Sequence, residues 1–522
     1  GNNWDEVRAY EVYDPARKIS TQNWQWGEYG LTVQNPYWVN YRNLRENSKN
    51  RYMVGAQLSY KVLPCLTLSG RVRFDDSYTK ATDKRYAGTL GNLSDNSERG
   101  YYGETNYKEK QIFADFLASF NKDFSEDWNL QANFGGSIND MRYESTDIRG
   151  GIPDGSENYP GQDALLTNFF SINNISRNAP KTWNMWREQT QSIYASADLG
   201  YKRTYYLTLT GRNDWPSALA GVNSKKSSFF YPSVGISVLM TQLFEDAGLN
   251  IPSEYLSFWK IRASWASVGT AFPRYIANPR YEWVNGTWSV LTQYPVNNLL
   301  PERTKSWEVG MNFRFLKDFN FDATWYQADT YNQTFNPNVP VGKYSKIYVQ
   351  TGKIRNWGME FALGFDHTWN NFSWASNMTY SFNKNVIKEL GRNAYNPVTG
   401  EKLDIDQLVM TDNQVGATRF ILREGGTMGD LYSMVDLQRD HNGNIYINPE
   451  GNVSTVSVAD KPIKLGSVLP KGNLAWSNSF TWKNLTASFM LSARFGGVVY
   501  SRTQAVLDYY GVSEATGQAR DR

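Results

Sequence analysis

Few side chains in this chain have the types and spacing that do covalent chemistry. Asp75-Asp76 and Asp404/Asp406 are close pairs of carboxylates, the residue type that cleaves glycosidic bonds when two acids flank a sugar. Both pairs sit in strongly polar stretches, and solvated loop charges explain them more simply. Asp440-His441-Asn442-Gly443-Asn444 loosely resembles a calcium loop. Its glycine falls fourth, not sixth, so the sharp turn of an EF-hand is misplaced, and only an incidental cation is in prospect. Cys65, His367 and His441 are the only cysteine and histidines, too few and too scattered for a zinc cluster. No HExxH, GxxxxGK[ST], GxSxG or CxxC run occurs. We therefore expect no catalytic residue, no resident metal, no cofactor and no enzyme. What remains is binding. Trp183 and Trp186, Trp283 and Trp288, Tyr344 and Tyr348 lie in or beside polar segments. Flat aromatic faces suit sugar rings and give large contact area at low entropic cost. Packing between loops, or placement at a membrane interface, is the competing reading for each.

The elements that would position these residues announce themselves by a repeating beat. Leu130, Ala132, Phe134 and Ile138 alternate with Asn129, Gln131, Asn133 and Ser137. Phe319, Phe321, Ala323 and Trp325 alternate with Asn320, Asp322, Thr324 and Tyr326. Leu485, Ala487, Phe489 and Leu491 alternate with Thr486, Ser488, Met490 and Ser492. Side chains of a strand point to opposite faces with period two, so each stretch has one greasy and one wet face. Repeated along 522 residues, this pattern reads as an all-β, antiparallel transmembrane barrel with lipid outside and a polar lumen. Transport becomes the first hypothesis. A soluble propeller or sandwich stack also alternates, but its outward faces would be polar rather than aromatic.

Composition is compatible with that reading. Mean hydropathy is −0.58, as expected when half of every strand and all of the loops face water. The longest apolar run is about 234–240, well short of the ~18–20 residues of a spanning helix. With 54 basic and 51 acidic residues the net charge is +3, which argues against nucleic acid as a partner. No Pro-rich, Gly/Ser-rich or single-charge tract divides the chain, so one sheet domain over 1–522 is expected.

Short and long connections alternate. Brief turns are expected near Leu63-Pro64, Phe124–Asp127, Tyr201–Arg203, Leu316–Asp318, Thr368–Asn371 and Lys483-Asn484. Long polar segments are expected near 75–107, 140–191, 212–228, 270–303, 328–356 and 385–472. The former suit the periplasmic side and the latter the outside. A medium connection at Leu243–Ser257 would hold a short helix at Leu243–Ala247, and 385–472 would carry strands at Leu431–Leu437 and Asn444–Ile447. Roughly 14–17 strands result, each near the ~9–11 residues of a tilted spanning strand. Tyr201, Tyr205, Tyr206, Trp369, Trp374, Trp476 and Trp482 sit near strand ends, where interfacial girdles form.

Several stretches resemble the SusC/RagA group of TonB-dependent outer-membrane transporters of the Bacteroidetes. Leu300-Pro301-Glu302-Arg303-Thr304-Lys305-Ser306-Trp307-Glu308-Val309-Gly310 is similar to the L-x-P-E-x-x-x-x-x-E-x-G signature of such barrels. Gly211-Arg212-Asn213-Asp214-Trp215, Phe230-Tyr231-Pro232-Ser233-Val234-Gly235, Trp259-Lys260-Ile261-Arg262, Asn356-Trp357-Gly358-Met359-Glu360 and Phe495-Gly496-Gly497 follow in the subgroup's order. The resemblance implies an incomplete part of a 22-strand barrel. The signal peptide, N-terminal extension, TonB box, plug, first strands and last strands would lie outside this chain, which starts at Gly1 without a leader. It also implies import of a large nutrient, oligosaccharide more than oligopeptide, energised by the TonB complex through the missing N-terminal parts. A SusD-like surface lipoprotein would cap the barrel, in a dimer of transporter–lipoprotein pairs. A passive porin or adhesin-like barrel, and a soluble carbohydrate-binding β-protein, are the alternatives. On the resembling motifs, Arg212, Asp214, Glu302, Arg303, Glu308, Arg314 and Arg494 are expected as lumen-facing or structural wall residues, since charge facing lipid costs ~2–4 kcal/mol at the midplane.

Overall fold

The computed structural model describes all residues except 1–3, 25–33, 154–165, 222–223, 277–282, 285–286, 289–292, 295–298, 336–345, 392–394, 397–398, 403–404, 406, 416–417, 452 and 521–522. Fourteen long strands form one antiparallel meander in strict chain order. They are β1 (Asn43–Leu63), β2 (Leu66–Tyr86), β3 (Gly100–Asp123), β4 (Trp128–Gly151) and β5 (Lys181–Tyr201). Then come β6 (Tyr205–Pro216), β7 (Phe229–Leu239), β8 (Leu256–Thr270), β9 (Glu302–Phe315) and β10 (Phe319–Phe335). The last are β11 (Val349–Trp369), β12 (Phe372–Glu389), β13 (Gly472–Trp482) and β14 (Leu485–Phe495). Among the described residues β1 and β14 each pair on one side only.

Pairing register turns the sequence alternation into two continuous surfaces. One row runs Ala263, Val309, Trp325, Met359, Phe382 across β8–β12, and the next runs Ile261, Met311, Ala323, Phe361, Tyr380, Leu474, Ala493 to β14. The rows between them, on the opposite face, hold Arg262, Gly310, Thr324, Glu360, Ser381, Asn473 and Arg494. The apolar face is bare: Phe134, Ile193, Ile236, Trp307 and Leu491 are all more than half exposed. An uncovered apolar surface of this extent is untenable in water and natural against hydrocarbon. The buried clusters lie instead at the long-loop end, for example Phe335, Ile354, Ile387, Leu390, Leu408 and Leu422.

At the other end, aromatic rings follow one another along the apolar face. Trp128 meets Tyr201 at 4.4 Å, and Phe365, Trp369, Phe372, Trp374 and Phe480 form a chain with centroid spacings of 5.0–6.3 Å. This is an interfacial girdle, and it takes in Tyr201, Trp369 and Trp374; of the other expected members, Tyr206 lies on the polar face under Lys260 and Trp476 pairs with Met378 in mid-strand. All six expected brief turns occur. Those at Lys202-Arg203 and Leu316-Lys317 hold two consecutive non-glycine residues at positive φ, the twist that a tight hairpin requires. The medium connection carries the helix Met240–Asp246, a few residues earlier than expected.

The long segments differ from expectation. Most of 75–107 and both ends of 140–191 are strand, because β2–β5 run 21–24 residues, about ten beyond the bilayer requirement. Alternation fades there since both faces meet water, yet cross-strand pairs such as Lys80–Glu104 (3.0 Å) and Lys84–Glu46 (2.7 Å) sustain the ladder. Within 385–472, Gln407–Val415, Thr418–Arg423, Asp430–Ser433 and Ile463–Ser467 form a four-stranded sheet. The expected strand Leu431–Leu437 is broken into Asp430–Ser433 and Val435–Leu437. Asn444–Ile447 makes only isolated bridges, Arg439 to Ile445 and Ile447 to Val453. After β14 the chain forms two helices, Arg502–Tyr509 and Glu514–Arg520.

Candidate functional site: the polar wall

The polar face is lined by guanidinium–carboxylate pairs that tie strands together. Arg51 donates Nε to Asp75 at 2.9 Å, and Arg71 donates Nε to Asp115 at 3.0 Å. Arg212 donates Nε to Asp214 at 2.8 Å and Nη2 to Ser192 at 2.8 Å, lies over the Tyr194 ring at 5.3 Å, and Tyr231 donates its hydroxyl to the same Asp214. Arg212 and Asp214 are therefore parts of one network spanning β5–β7.

The fourth pair skips a strand. Arg262 on β8 lies across Gly310 on β9, its direct partner, to reach Asp322 on β10 at 3.1 and 3.2 Å and Thr324 at 2.5 Å. Asn312 donates to the same Asp322 at 3.1 Å. A Cβ on Gly310 would stand 2.8 Å from Arg262 Cζ and Nε, closer than real contacts allow. Tyr326 repeats the device, lying over its partner Gly358 and donating to Asn383 on β12 at 3.3 Å. The glycines of the Trp307-Glu308-Val309-Gly310 and Trp357-Gly358 runs are thus gaps over which a long side chain can lie flat.

Nearer the loops the polar wall becomes aromatic. Trp186 stacks on Tyr143 at 5.4 Å and 14°, and Tyr143 meets Tyr107 at 6.4 Å. Arg274, from the segment after β8, lies over the Trp186 ring at 3.8 Å and is paired with Glu188. The loop is thereby pinned to the wall at this ladder.

The candidate aromatics do not form one group. Trp186 belongs to this ladder, but Trp183, three positions away on the same strand, points to the opposite face and donates Nε1 to Glu144 at 3.2 Å. Trp283 and Trp288 are backbone register partners in a short antiparallel pair whose Val284 pairs with Thr182, next in sequence to Trp183. Tyr348 packs on the buried cluster of Leu219, Phe229, Phe272, Ile276 and Leu299. Tyr344 lies outside the described residues.

The charged candidates divide by parity. Glu308, Arg314 and Arg494 lie in polar rows; Glu308 is 3.9 Å from Arg262, Arg314 lies over Phe258 at 5.7 Å, and Arg494 donates to the Val468 carbonyl at 3.4 Å. Glu302 ties the entrance of β9 to the end of β10, accepting Thr334 N–H at 2.9 Å and Gln333 Nε2 at 3.2 Å. Arg303 does not share their face. Its odd position places it with Trp307 and Val309, and it donates Nη2 to the Phe230 carbonyl at 2.7 Å. Tyr107, Tyr143, Tyr194, Asp322 and Arg274 are not among the candidates the sequence offers, and Arg262 stands there only within a motif. Extending the alternation of β4 beyond Ile138 would have placed Tyr143 on the polar face; Arg274 carried no such signal.

The loop chemistry is structural. Asp440 accepts N–H groups of Asn442 and Asn444 at 2.8 and 2.9 Å, and these bonds, Asn444 first, hold its carboxyl below the usual range. Its Oδ1 is thus engaged within its own turn. Asp404 and Asp406 lie outside the described residues. Asp75 bonds Arg51, while Asp76, one position on, faces the other side of the sheet 3.7 Å from Lys110.

Residues 2–497 match the family model described as TonB dependent receptor-like, beta-barrel. A TonB-dependent receptor, P26, of Formosa agariphila is 27% identical over 369 residues, 63% of this chain and 34% of that protein. TonB-dependent receptor SusC of Bacteroides thetaiotaomicron is 24% identical over 340 residues, 60% of this chain and 32% of that protein. The solved RagAB peptide importer in its open-open state superposes with a TM-score of 0.69 at 15% identity, over 94% of this chain and 50% of that one. The chain thus spans about a third of the length of these curated relatives and half of that structure.

Proposed function

Because this chain belongs to the TonB-dependent receptor-like β-barrel family, a family of the outer membrane, we propose that it forms the wall of a SusC/RagA-type importer of large nutrients. On this reading the plug and the segment contacted by the TonB complex come from sequence outside these residues. A SusD-like surface lipoprotein closes the loop end, and two such pairs associate. The substrate is an oligosaccharide in preference to an oligopeptide.

The observation that carries the substrate class is the aromatic ladder. Tyr107, Tyr143 and Trp186 stand side by side on the polar wall just inside the loops, with Arg274 and Glu188 at their edge. Because Trp186 is already stacked on Tyr143 and lies under Arg274, a sugar would meet this ladder at its ring edges, beside the polar groups of Arg274 and Glu188. A peptide reading draws on the Arg–Asp pairs deeper in the wall, which offer donors and acceptors to a backbone, and the RagAB neighbour is named a peptide importer. A passive pore would need no energised partner.

Binding to the full-length protein with its lipoprotein separates these readings. The probes are a mixed oligosaccharide ladder and a mixed tryptic-peptide pool. Retention of oligosaccharides, weakened about tenfold by Trp186→Ala as expected for ~1–1.5 kcal/mol of ring contact, supports the glycan reading. Retention of peptides alone overturns it in favour of peptide import. Retention of neither, or passage that does not need TonB, overturns the importer itself.

A further inference from the structure

We propose that the outer face of β2–β5 is a binding site for a phosphate-bearing, acylated lipid of the outer leaflet. The site has an apolar half and a charged half on one continuous surface. The apolar half is a groove of about 590 Å³. Gly70, Ala114 and Gly136 lack bulk on adjacent strands and form its floor, while Phe116, Phe134 and Ile138 form its walls. A depression of this kind on a lipid-facing surface is filled by an acyl chain.

The charged half lies on the same face of the same strands. Following Ile138 along β4, the next residues on that face are Asp140 and Arg142. Arg142 is the direct cross-strand partner of Arg187 on β5, and of Lys110 on β3. Like charges directly opposite one another destabilise a sheet. One carboxylate offsets part of that cost. Asp140, almost wholly buried, accepts Arg142 Nε at 3.0 Å, Arg187 Nε at 2.8 Å and Nη2 at 2.5 Å, and Gln189 Nε2 at 2.9 Å. It holds both guanidiniums in place but balances only one of them. Their side chains remain 55% and 57% exposed. Paired, oriented and under-neutralised guanidiniums are complementary to phosphate.

Depth places this pair at the headgroups. From the girdle residue Trp128 to Asp140 is twelve residues of β4. At ~3.3 Å per residue and a tilt of ~40°, that is about 30 Å along the membrane normal, the thickness of the hydrocarbon core. The long-loop end of a barrel is the outer end, so the phosphate belongs to the outer leaflet. A protein partner resting on this face would have no reason to meet an apolar groove that starts within the hydrocarbon.

The test is native mass spectrometry of the full-length protein in detergent, titrated with diphosphoryl lipid A, with the same lipid stripped of its phosphates, and with sodium phosphate. The variants are the double substitution Arg142→Gln/Arg187→Gln and, independently, Ala114→Phe, which fills the groove and leaves the charges alone. Both must keep the heat-modifiable gel mobility of a folded barrel. We expect each to lower lipid A retention about tenfold, and the stripped lipid to bind the unaltered protein as poorly. Equal retention by the double variant, or equal binding of stripped lipid, overturns the headgroup site. Undiminished retention by Ala114→Phe overturns the acyl groove, and displacement of the lipid by millimolar phosphate alone would leave an anion site with no lipid specificity.

Discussion

Gly310→Ala is the sharpest probe of how the polar wall is built. The new Cβ would stand 2.8 Å from Arg262 Cζ and Nε and 2.9 Å from Nη2, so the guanidinium must lift off β9. Lifting it removes two contacts to Asp322 and one to Thr324. Arg262 and Asp322 side chains are about one-third exposed, so water screens the ion pair and it is credited with no more than ~1 kcal/mol. The hydrogen bond to Thr324 adds ~0.5–1 kcal/mol. Against this loss of about 1–2 kcal/mol, alanine gains ~0.5–1 kcal/mol over glycine by restricting the unfolded chain. The net expectation is a destabilisation of about 1 kcal/mol. In an Arg262→Ala background there is nothing to displace, and the same substitution should stabilise by ~0.5–1 kcal/mol. Urea unfolding of the lipid-reconstituted barrel, followed by tryptophan fluorescence, reads both backgrounds. If Gly310→Ala costs the same with and without Arg262, the crossing side chain is not why a glycine stands here.

Other consequences follow from the same geometry. Met378 and Thr379 are neighbours on β12 facing opposite ways; Met378→Arg should cost ~2–4 kcal/mol in lipid and Thr379→Arg little, by the same unfolding assay. Glu302→Ala should release the end of β10, seen as faster amide exchange at Gln333–Phe335, at a cost of ~1–2 kcal/mol. Asp430 is 1% exposed in the outer sheet, and although burial pushes its carboxyl up, Lys464 and Thr427 outweigh that and hold it below the usual range. A depressed native pKa means stability present above the unfolded value of ~4 and lost as pH falls through the native one. Exchange protection at Thr427–Ser433 should therefore fall below about pH 4, and Asp430→Asn should be weakened already at neutral pH and lose that acid limb.

Much of this protein is legible in its sequence because a sheet exposed to two solvents writes its geometry as parity. The alternation in β4, β10 and β14 identified the strands, the brief turns between them and the membrane-facing side without any tertiary information. Wherever both faces meet the same solvent, parity carries no contrast. That is why the outer halves of β2–β5 read as loops, although their cross-strand charge pairs keep them paired. It is also why Trp183 and Trp186 looked like one site until strand continuation set them on opposite faces, and why Arg303 looked like a companion of Glu302.

Sequence alone determined the fold class, the order of the meander and its apolar and polar faces, since each depends only on period-two contrast within a strand. Tertiary structure decided which residues meet across strands. Arg262 reaches Asp322 because register sets Gly310 between them, Arg142 opposes Arg187 because β4 and β5 pair at that offset, and Arg274 caps Trp186 because a loop folds back nearly ninety positions later. Those contacts depend on register and loop closure, which are collective properties of paired strands and leave no mark on any single one.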